Sequence, residues 1–291
     1  MKLPDVEHVW AASAADAVRI LRSSPDAAVL AGGQSLVPLL AFRLARPALL
    51  VDLGRCADLR DVQRDGGHLA VGAAVTYAEL LRSHDAQTVP GLVDALSSIG
   101  HRAIRSRGTV GGSIAHADPA AELPVLAAVL GAEIVTLGPA GSRTLPADRF
   151  FTSYLTTALE PGEIVAQVRF PLARGGTGGA LAEVSRRRGD FALAAAAALV
   201  VCDAEGYVTR CRLGFAGVAA TPIVGELDEL AGHPWNGTTA IEAARSAAGR
   251  LDPMSDLHAT SAHRRSVAAV VAERALAVAA TRAHADGPGA R

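Results

Sequence analysis

Two glycine pairs, each followed by small polar residues, constrain this 291-residue chain more than any other feature. "VLAGGQSLVPLL" spans residues 29–40 and "TVGGSIAHADPAAELP" spans 109–124. A glycine pair after an apolar run lets the backbone turn at positive φ and brings N–H groups near a ligand with no Cβ in the way. Gln34 and Ser35 add side-chain donors to the first run, and Thr109 and Ser113 add hydroxyls to the second. That combination suits phosphate. Taken singly, each pair reads as an ordinary turn, whereas two such loops from separate subdomains predict a grip on one pyrophosphate from both sides. Neither run is a Walker A, which needs a lysine after its second glycine, and neither is GxGxxG. "GGTGG" at 175–179 has no helix after it and reads as a linker.

The surrounding pattern alternates helix and strand signals. "SAADAVRILRSSP" (13–25) predicts a helix with Ser13 at its N-cap and Asp16 in its first turn, ending before Pro25. "AAVLAGG" and "ALLVDLG" predict buried strands with the short helix "SLVPLLAFRLA" between them, a β-α-β unit with its glycine turn at the strand's C-terminal end. In a second unit, 56–172, "LAVGAAVTYAELLRS" predicts a strand and a helix capped by Thr76, "GLVDALSSIG" a helix, and "AEIVTLG" and "EIVAQVRFP" strands. Asp118 and Pro119 read chiefly as N-cap and first residue of an alanine- and leucine-rich helix, with Glu122 as favourable first-turn charge. The domain boundary is placed in "PLARGGTGG" (171–179). Beyond it, "FALAAAAALVVC" (191–202) is strand or helix, and too short to span a bilayer. Glu205-Gly206 reads as a hairpin turn. "SAHRRSVAAVVAERALAVAATRA" is an amphipathic helix whose apolar stripe is core or subunit interface, and 285–291 reads as a disordered tail.

Composition excludes several classes of function. Net charge is −1 and no basic block occurs, which argues against nucleic acid as partner. Cys56, Cys202 and Cys211 are scattered and lack CxxC spacing, so neither a disulfide framework nor an iron–sulfur or zinc site of the chain's own is expected. The start, "MKLPDVEHVW", has no apolar signal core, and a cytoplasmic protein without a membrane span is expected. No Ser/His/Asp or paired-carboxylate constellation stands out.

"AGGQSLVPLL" and "RGTVGGSIAHADPAAELP" together resemble the flavoprotein (medium) subunit of the molybdenum hydroxylases, in its carbon-monoxide-dehydrogenase form and as the equivalent domain of xanthine dehydrogenase. The resemblance covers nearly the whole chain. "EIVAQVRFP", "SRRRGDFALAAAA" and "SDLHATSAHRR" fall where that family enters its second domain, carries an R-x-x-D-aromatic segment and begins its final helix. The resemblance implies an α+β fold: a two-subdomain FAD-binding domain of the vanillyl-alcohol-oxidase type over 1–174 (subdomains about 1–55 and 56–174), then a smaller α/β C-terminal domain over 175–284.

It also implies non-covalent FAD lying extended between the subdomains. The pyrophosphate would rest on Val29, Leu30, Ala31, Gly32, Gly33, Gln34, Ser35 and Leu36, and on Thr109, Val110, Gly111, Gly112 and Ser113. Ile99, with Ile164 or Val165, would lie against the flavin ring, and Phe191 would cover it. Glu122 occupies a place where many relatives have aspartate. His116 is either a phosphate or ribityl contact or a loop histidine held by backbone, and Asp118 either reaches the flavin or caps the helix. Arg102, Arg105 and Arg107 form a basic cluster that reads as an anion-docking surface or as solvated arginines at a helix end. Departures are Gln34 for a more usual histidine, serine or alanine, Ser113 for asparagine, and His263 for tyrosine; no lysine just before "SRRR" takes a role.

The function implied is electron transfer. A large molybdopterin subunit would oxidise the substrate, [2Fe–2S] clusters on a small subunit would relay electrons, and FAD on this chain would deliver them to an external acceptor. The assembly would be a heterotrimer or a dimer of heterotrimers, with no catalytic residue or metal ligand on this chain. The rivals are a free-standing flavin oxidoreductase like UDP-N-acetylenolpyruvoylglucosamine reductase, which needs its own substrate site, and a scaffold that has lost flavin.

Overall fold

The structure, a computed structural model, describes residues 4–285. The expected tail therefore lies outside the described residues, apart from Ala285, which closes the last helix.

The chain opens with a three-stranded parallel sheet formed by β1 (Glu7–Trp10), β2 (Ala27–Leu30) and β3 (Leu49–Asp52), with β3 central. Helices α1 (Ala14–Ser23) and α2 (Leu36–Ala41) make the crossovers. Ser13 caps α1 as expected, its hydroxyl accepting from the Asp16 N–H at 3.1 Å. β2, α2 and β3 follow the apolar runs that predict them. β1 has no such signal because most of its side chains face solvent.

The second unit is an antiparallel five-stranded sheet with helices against it. In chain order it contains β4 (Val62–Asp65), β5 (His68–Gly72), α3 (Tyr77–Arg82), α4 (Leu92–Ser98), α5 (Arg102–Arg105), α6 (Val110–His116), α7 (Glu122–Leu130), β6 (Glu133–Gly138), β7 (Gly141–Pro146), α8 (Ala147–Phe150), the small pair β8 (Phe151–Ser153) and β9 (Thr156–Thr157), and β10 (Ile164–Pro171). The strand order is β4-β5-β10-β6-β7. Thr76 caps α3 in a reciprocal box with Glu79. All of α7 is buried, which is how a helix apolar on every side must be placed.

The third unit is an antiparallel sheet in the order of its strands, β11 (Thr177–Ser185), β12 (Ala192–Cys202), β13 (Val208–Ala216) and β14 (Ile223–Glu226). Two helices, α9 (Gly237–Gly249) and α10 (Ser261–Ala285), cover one face. The alanine run left open as strand or helix is the strand β12. Ala195, Ala197 and Leu199 point into the core shared with the second unit, while Ala194, Ala196, Ala198 and Val200 point at α9 and α10. Small side chains on both faces allow close approach on both, and this outweighs alanine's preference for helix.

The linker expected at 175–179 is a strand for part of its length: Gly178 and Gly179 belong to β11. A Cβ on Gly178 would collide with the backbone of Ala279 and Ala283 on α10, and one on Gly179 with Pro90. Close packing, not flexibility, selects glycine there. The hairpin turn at Glu205-Gly206 is present, with Gly206 at φ +86°. The apolar stripe of α10, including Val271, Ala275, Leu276 and Ala279, is core of this unit.

Candidate cofactor-binding site

A cleft of about 460 Å³ runs between the parallel sheet and the second unit, within the roughly 300–1,000 Å³ usual for ligand pockets. Its walls include both glycine runs. Val29, Ala31, Gly32, Gly33, Gln34, Ser35, Leu36, Ile99, Thr109, Gly111, Gly112, Ser113, His116, Asp118, Glu122, Ile164, Val165 and Phe191 all line it. Leu30 and Val110, expected in the site, do not. Val110 is the first residue of α6 and is wholly buried in the main core, and the Leu30 side chain lies off the cleft beneath Gly33.

The two glycine runs have different tasks. In the first, Gly33 takes φ +73°, whereas Gly32 is glycine because a Cβ would collide with the carbonyl of Arg107. Among the described residues, the N–H groups of Gly32, Gly33, Gln34 and Ser35 have no protein acceptor. The Ser35 hydroxyl makes no cap bond to α2, so it too is free to meet a ligand. Gln34 uses its amide within the loop, donating from Nε2 to the Gly32 carbonyl at 3.0 Å.

The second run is the first turn of α6, and its donors are spent. Val110 N–H donates to the Val75 carbonyl, Gly111 N–H to that of Ala73, Gly112 N–H to the Thr109 hydroxyl and Ser113 N–H to the Thr109 carbonyl. Positive φ, expected of such glycines, is absent at Gly111 and Gly112 because both are helical. A Cβ on Gly111 would strike Ala73, so this run permits close packing of α6 on the segment after β5. The expected grip by backbone donors from both sides is thus a one-sided cradle facing a closely packed wall.

Asp118 does not cap α7. That helix begins at Glu122 with Ala121 as its N-cap residue. Asp118 instead closes a tight turn, accepting from the Ala120 N–H at 2.9 Å, with Pro119 at the position that favours it. The Pro119 carbonyl accepts from Gly217 of the C-terminal unit, and this tie holds the turn out of the helix. His116 ends α6 and lines the cleft; among the described residues its ring has no hydrogen-bond partner.

The opposite end is apolar. Ile99 caps α4, and a register shift in β10 between Val165 and Gln167 accompanies the two successive side chains, Ile164 and Val165, that both line the cleft. Phe191 stands at the mouth, 61 % exposed, and a Cβ on the neighbouring Gly189 (φ +88°) would press on His101. Arg105 of the basic cluster holds this region together, donating to the carbonyls of Ile99 and Gly100, each at 2.8 Å; Arg102 and Arg107 are exposed.

The lining residues outside the sequence reading include Tyr77, Ile104 and Glu163. Tyr77 is buried, which pushes its hydroxyl up to about 12, with the Ser113 side chain acting the other way. Ile104 adds an apolar wall. Glu163 forms a two-pronged pair with Arg143 (2.7 and 2.6 Å), which holds its carboxyl below the ordinary range. The Thr76-Glu79 box that brackets Tyr77 was a readable signal; nothing in the sequence marked Glu163.

The donor set fits FAD: four free N–H groups and a hydroxyl suit phosphate oxygens, and the apolar side chains of Ile99, Ile104, Ile164 and Val165 suit a ring system. No group of His, Cys, Asp and Glu suited to a metal ion occurs among the described residues, and none of their helices is long and apolar enough to cross a membrane.

Residues 4–173 match the family model described as the FAD binding domain in molybdopterin dehydrogenase, and residues 179–279 that of the CO dehydrogenase flavoprotein C-terminal domain. The chain is 38% identical over 287 residues to the 6-hydroxypseudooxynicotine dehydrogenase complex subunit alpha of Paenarthrobacter nicotinovorans, covering 97% of each. It is 33% identical over 277 residues to the carbon monoxide dehydrogenase medium chain of Hydrogenophaga pseudoflava, covering 94% of this chain and 96% of that one. Its structure is similar to a chain of quinoline 2-oxidoreductase from Pseudomonas putida 86, with TM-score 0.90, 37% identity and coverage of 97% and 99%. With relatives of this kind matched over almost their full lengths, the chain belongs to the FAD-binding medium subunits of the molybdenum hydroxylases.

Proposed function

We propose that this subunit holds one FAD, non-covalently and extended along the cleft, with its diphosphate on the Gly32–Ser35 loop and its ring between Ile99, Ile164, Val165 and Phe191. The observation that carries this reading is the row of four unpaired N–H groups opening into a cleft whose far end is apolar. When bound, FAD supplies two-electron storage and release. The chain's own residues orient it and exclude water from the buried side. Acid precipitation should release FAD into the supernatant; flavin left in the pellet, or recovery of FMN, overturns the reading.

We further infer that the partners are one small subunit carrying [2Fe–2S] clusters and one large molybdopterin subunit, in a heterotrimer that can pair. The junction between the cofactor and C-terminal domains is placed in the turn between β10 and β11, where the chain passes from one sheet to the other. Substrate oxidation belongs to the large subunit, so the isolated chain should not be reduced by any organic substrate. Anaerobic bleaching of its flavin by substrate in the absence of partners would instead indicate a free-standing oxidoreductase.

A further inference from the structure

Two arginine-bearing loops meet at the mouth of the cleft. A Cβ on Gly189, in the loop between β11 and β12, would press on the His101 ring and the carbonyl carbon of Gly100, just before α5. Residues 99–108 and 185–191 together carry six arginines against one acidic residue, Asp190, although the whole chain has net charge −1. Arg105 is spent on the carbonyls of Ile99 and Gly100. Arg102, Arg107, Arg186, Arg187 and Arg188 are exposed, and among the described residues none of their guanidinium groups has a hydrogen-bond or ion-pair partner. Elsewhere exposed arginines find carboxylates, as Arg60 does with Glu79 and Arg210 with Glu226. Like charges gathered without partners repel one another and send a positive field into solvent. Phe191, largely exposed, stands in the same loop and lines the cleft.

We propose that this arginine rim is the docking surface for an acidic electron-carrier protein that takes electrons from the bound flavin. None of the five free arginines lines the cleft, and they are spread over two exposed loops. Such a layout suits the carboxylates of a protein surface better than a small anion, whose site would be concave. An exposed aromatic beside several arginines is also the composition of a protein interface. Charge complementarity steers the encounter and fixes its orientation, here onto the end of the cleft where Phe191 and Ile99 stand. The electron count balances with two one-electron carriers for each fully reduced flavin, whose two hydrogens leave as protons to water. The proposal rests on FAD occupying the cleft.

The test uses the complete complex, as wild type and with Arg186→Gln, Arg187→Gln and Arg188→Gln combined. Binding of fluorescein-labelled polyglutamate is followed by anisotropy. Reoxidation of the reduced flavin by anionic ferricyanide and by cationic tris(phenanthroline)cobalt(III) is followed by stopped flow. Wild type should bind polyglutamate at about 0.01 M salt and release it at about 0.15 M, where the screening length shortens from about 30 to about 8 Å. Over the same change ferricyanide should slow roughly tenfold, and the cobalt complex should quicken. The rim variant should lose most of both effects. Arg22→Gln, Arg250→Gln and Arg274→Gln combined, which remove the same charge from other exposed positions, should keep them. Equal behaviour of the two triple variants overturns the proposal. So do wild-type rates indifferent to salt, which decide the matter even if the rim variant does not fold. Loss of the partner subunits from the rim variant also overturns it, by making the rim a seam within the complex. A complex that holds no FAD overturns the cofactor reading itself, whereas bound FAD without polyglutamate binding overturns the rim alone.

Discussion

The α-carbon of Gly32 packs against the peptide joining Arg107 and Gly108, so the loop after β2 touches the loop before α6 backbone to backbone. The unpaired N–H row begins at this contact. The geometry of the cradle is therefore set by two loops from different sheets, and neither can move without opening the other.

Gly32→Ala should force these loops apart, because the clash is with a carbonyl that cannot swing away. Overpacking of this kind costs typically about 1–3 kcal/mol. The variant should fold, melt somewhat lower, and retain little FAD. Gly225→Ala, where nothing lies within 4 Å, is the control and should keep normal flavin content. Gly111→Ala should differ from both by lowering the melting temperature first, since it pushes α6 off Ala73. Normal flavin content in Gly32→Ala, read from the absorbance ratio of flavin to protein, would show the contact to be incidental.

The Arg143-Glu163 pair should make stability pH-dependent. Hydrogen bonding from Arg143 outweighs burial and depresses the Glu163 carboxyl below its ordinary 4.5. A depressed acid stabilises the fold above its unfolded value, and that stability is lost as pH falls through the folded value. Glu163→Gln should therefore melt below the wild type at pH 7, and the two should converge once the pH has fallen below the folded value of Glu163. A gap that persists unchanged in acid, measured by thermal denaturation, would assign the loss to packing.

Arg282 of α10 joins Asp94 of α4 through Nη1 (2.5 Å) and Nη2 (3.0 Å), and Nη1 also reaches the Gly179 carbonyl at 2.6 Å. This ties the last helix to the cofactor domain. Arg282 is nearly half exposed, so solvent screens the pair and its coupling should be only about 0.5–1 kcal/mol. A double-mutant cycle with Arg282→Met and Asp94→Asn in urea would measure it. Additive losses would mean that the two charges are independent.

Phe191 is largely exposed, so Phe191→Ala should leave the melting temperature within about 1 °C, as surface substitutions do. If it covers the flavin ring, FAD should dissociate several-fold faster and the bound flavin should fluoresce more brightly. Unchanged dissociation, followed by fluorescence after dilution, would remove Phe191 from the site.

Local chemistry alone determined a good deal of this molecule. Ser13 and Thr76 could only be helix caps beside their acidic partners, because a short hydroxyl side chain satisfies the orphan N–H groups of a first turn wherever it occurs. The glycine pairs at 32–33 and 111–112 announced close backbone approach for the same local reason, although which donors remain free was settled by neighbours from distant strands. Tertiary contact alone decided the rest. The alanines of β12 became strand because a core waits on each face, and Asp118 closes a turn because Gly217 holds the Pro119 carbonyl. Glu122 reads in the sequence as favourable first-turn charge, and Glu183 carries no signal there. Tertiary packing buries Glu122 and the Glu183 Oε2, and burial, which no local pattern encodes, pushes Glu122 up to about 8 and Glu183 up to about 7.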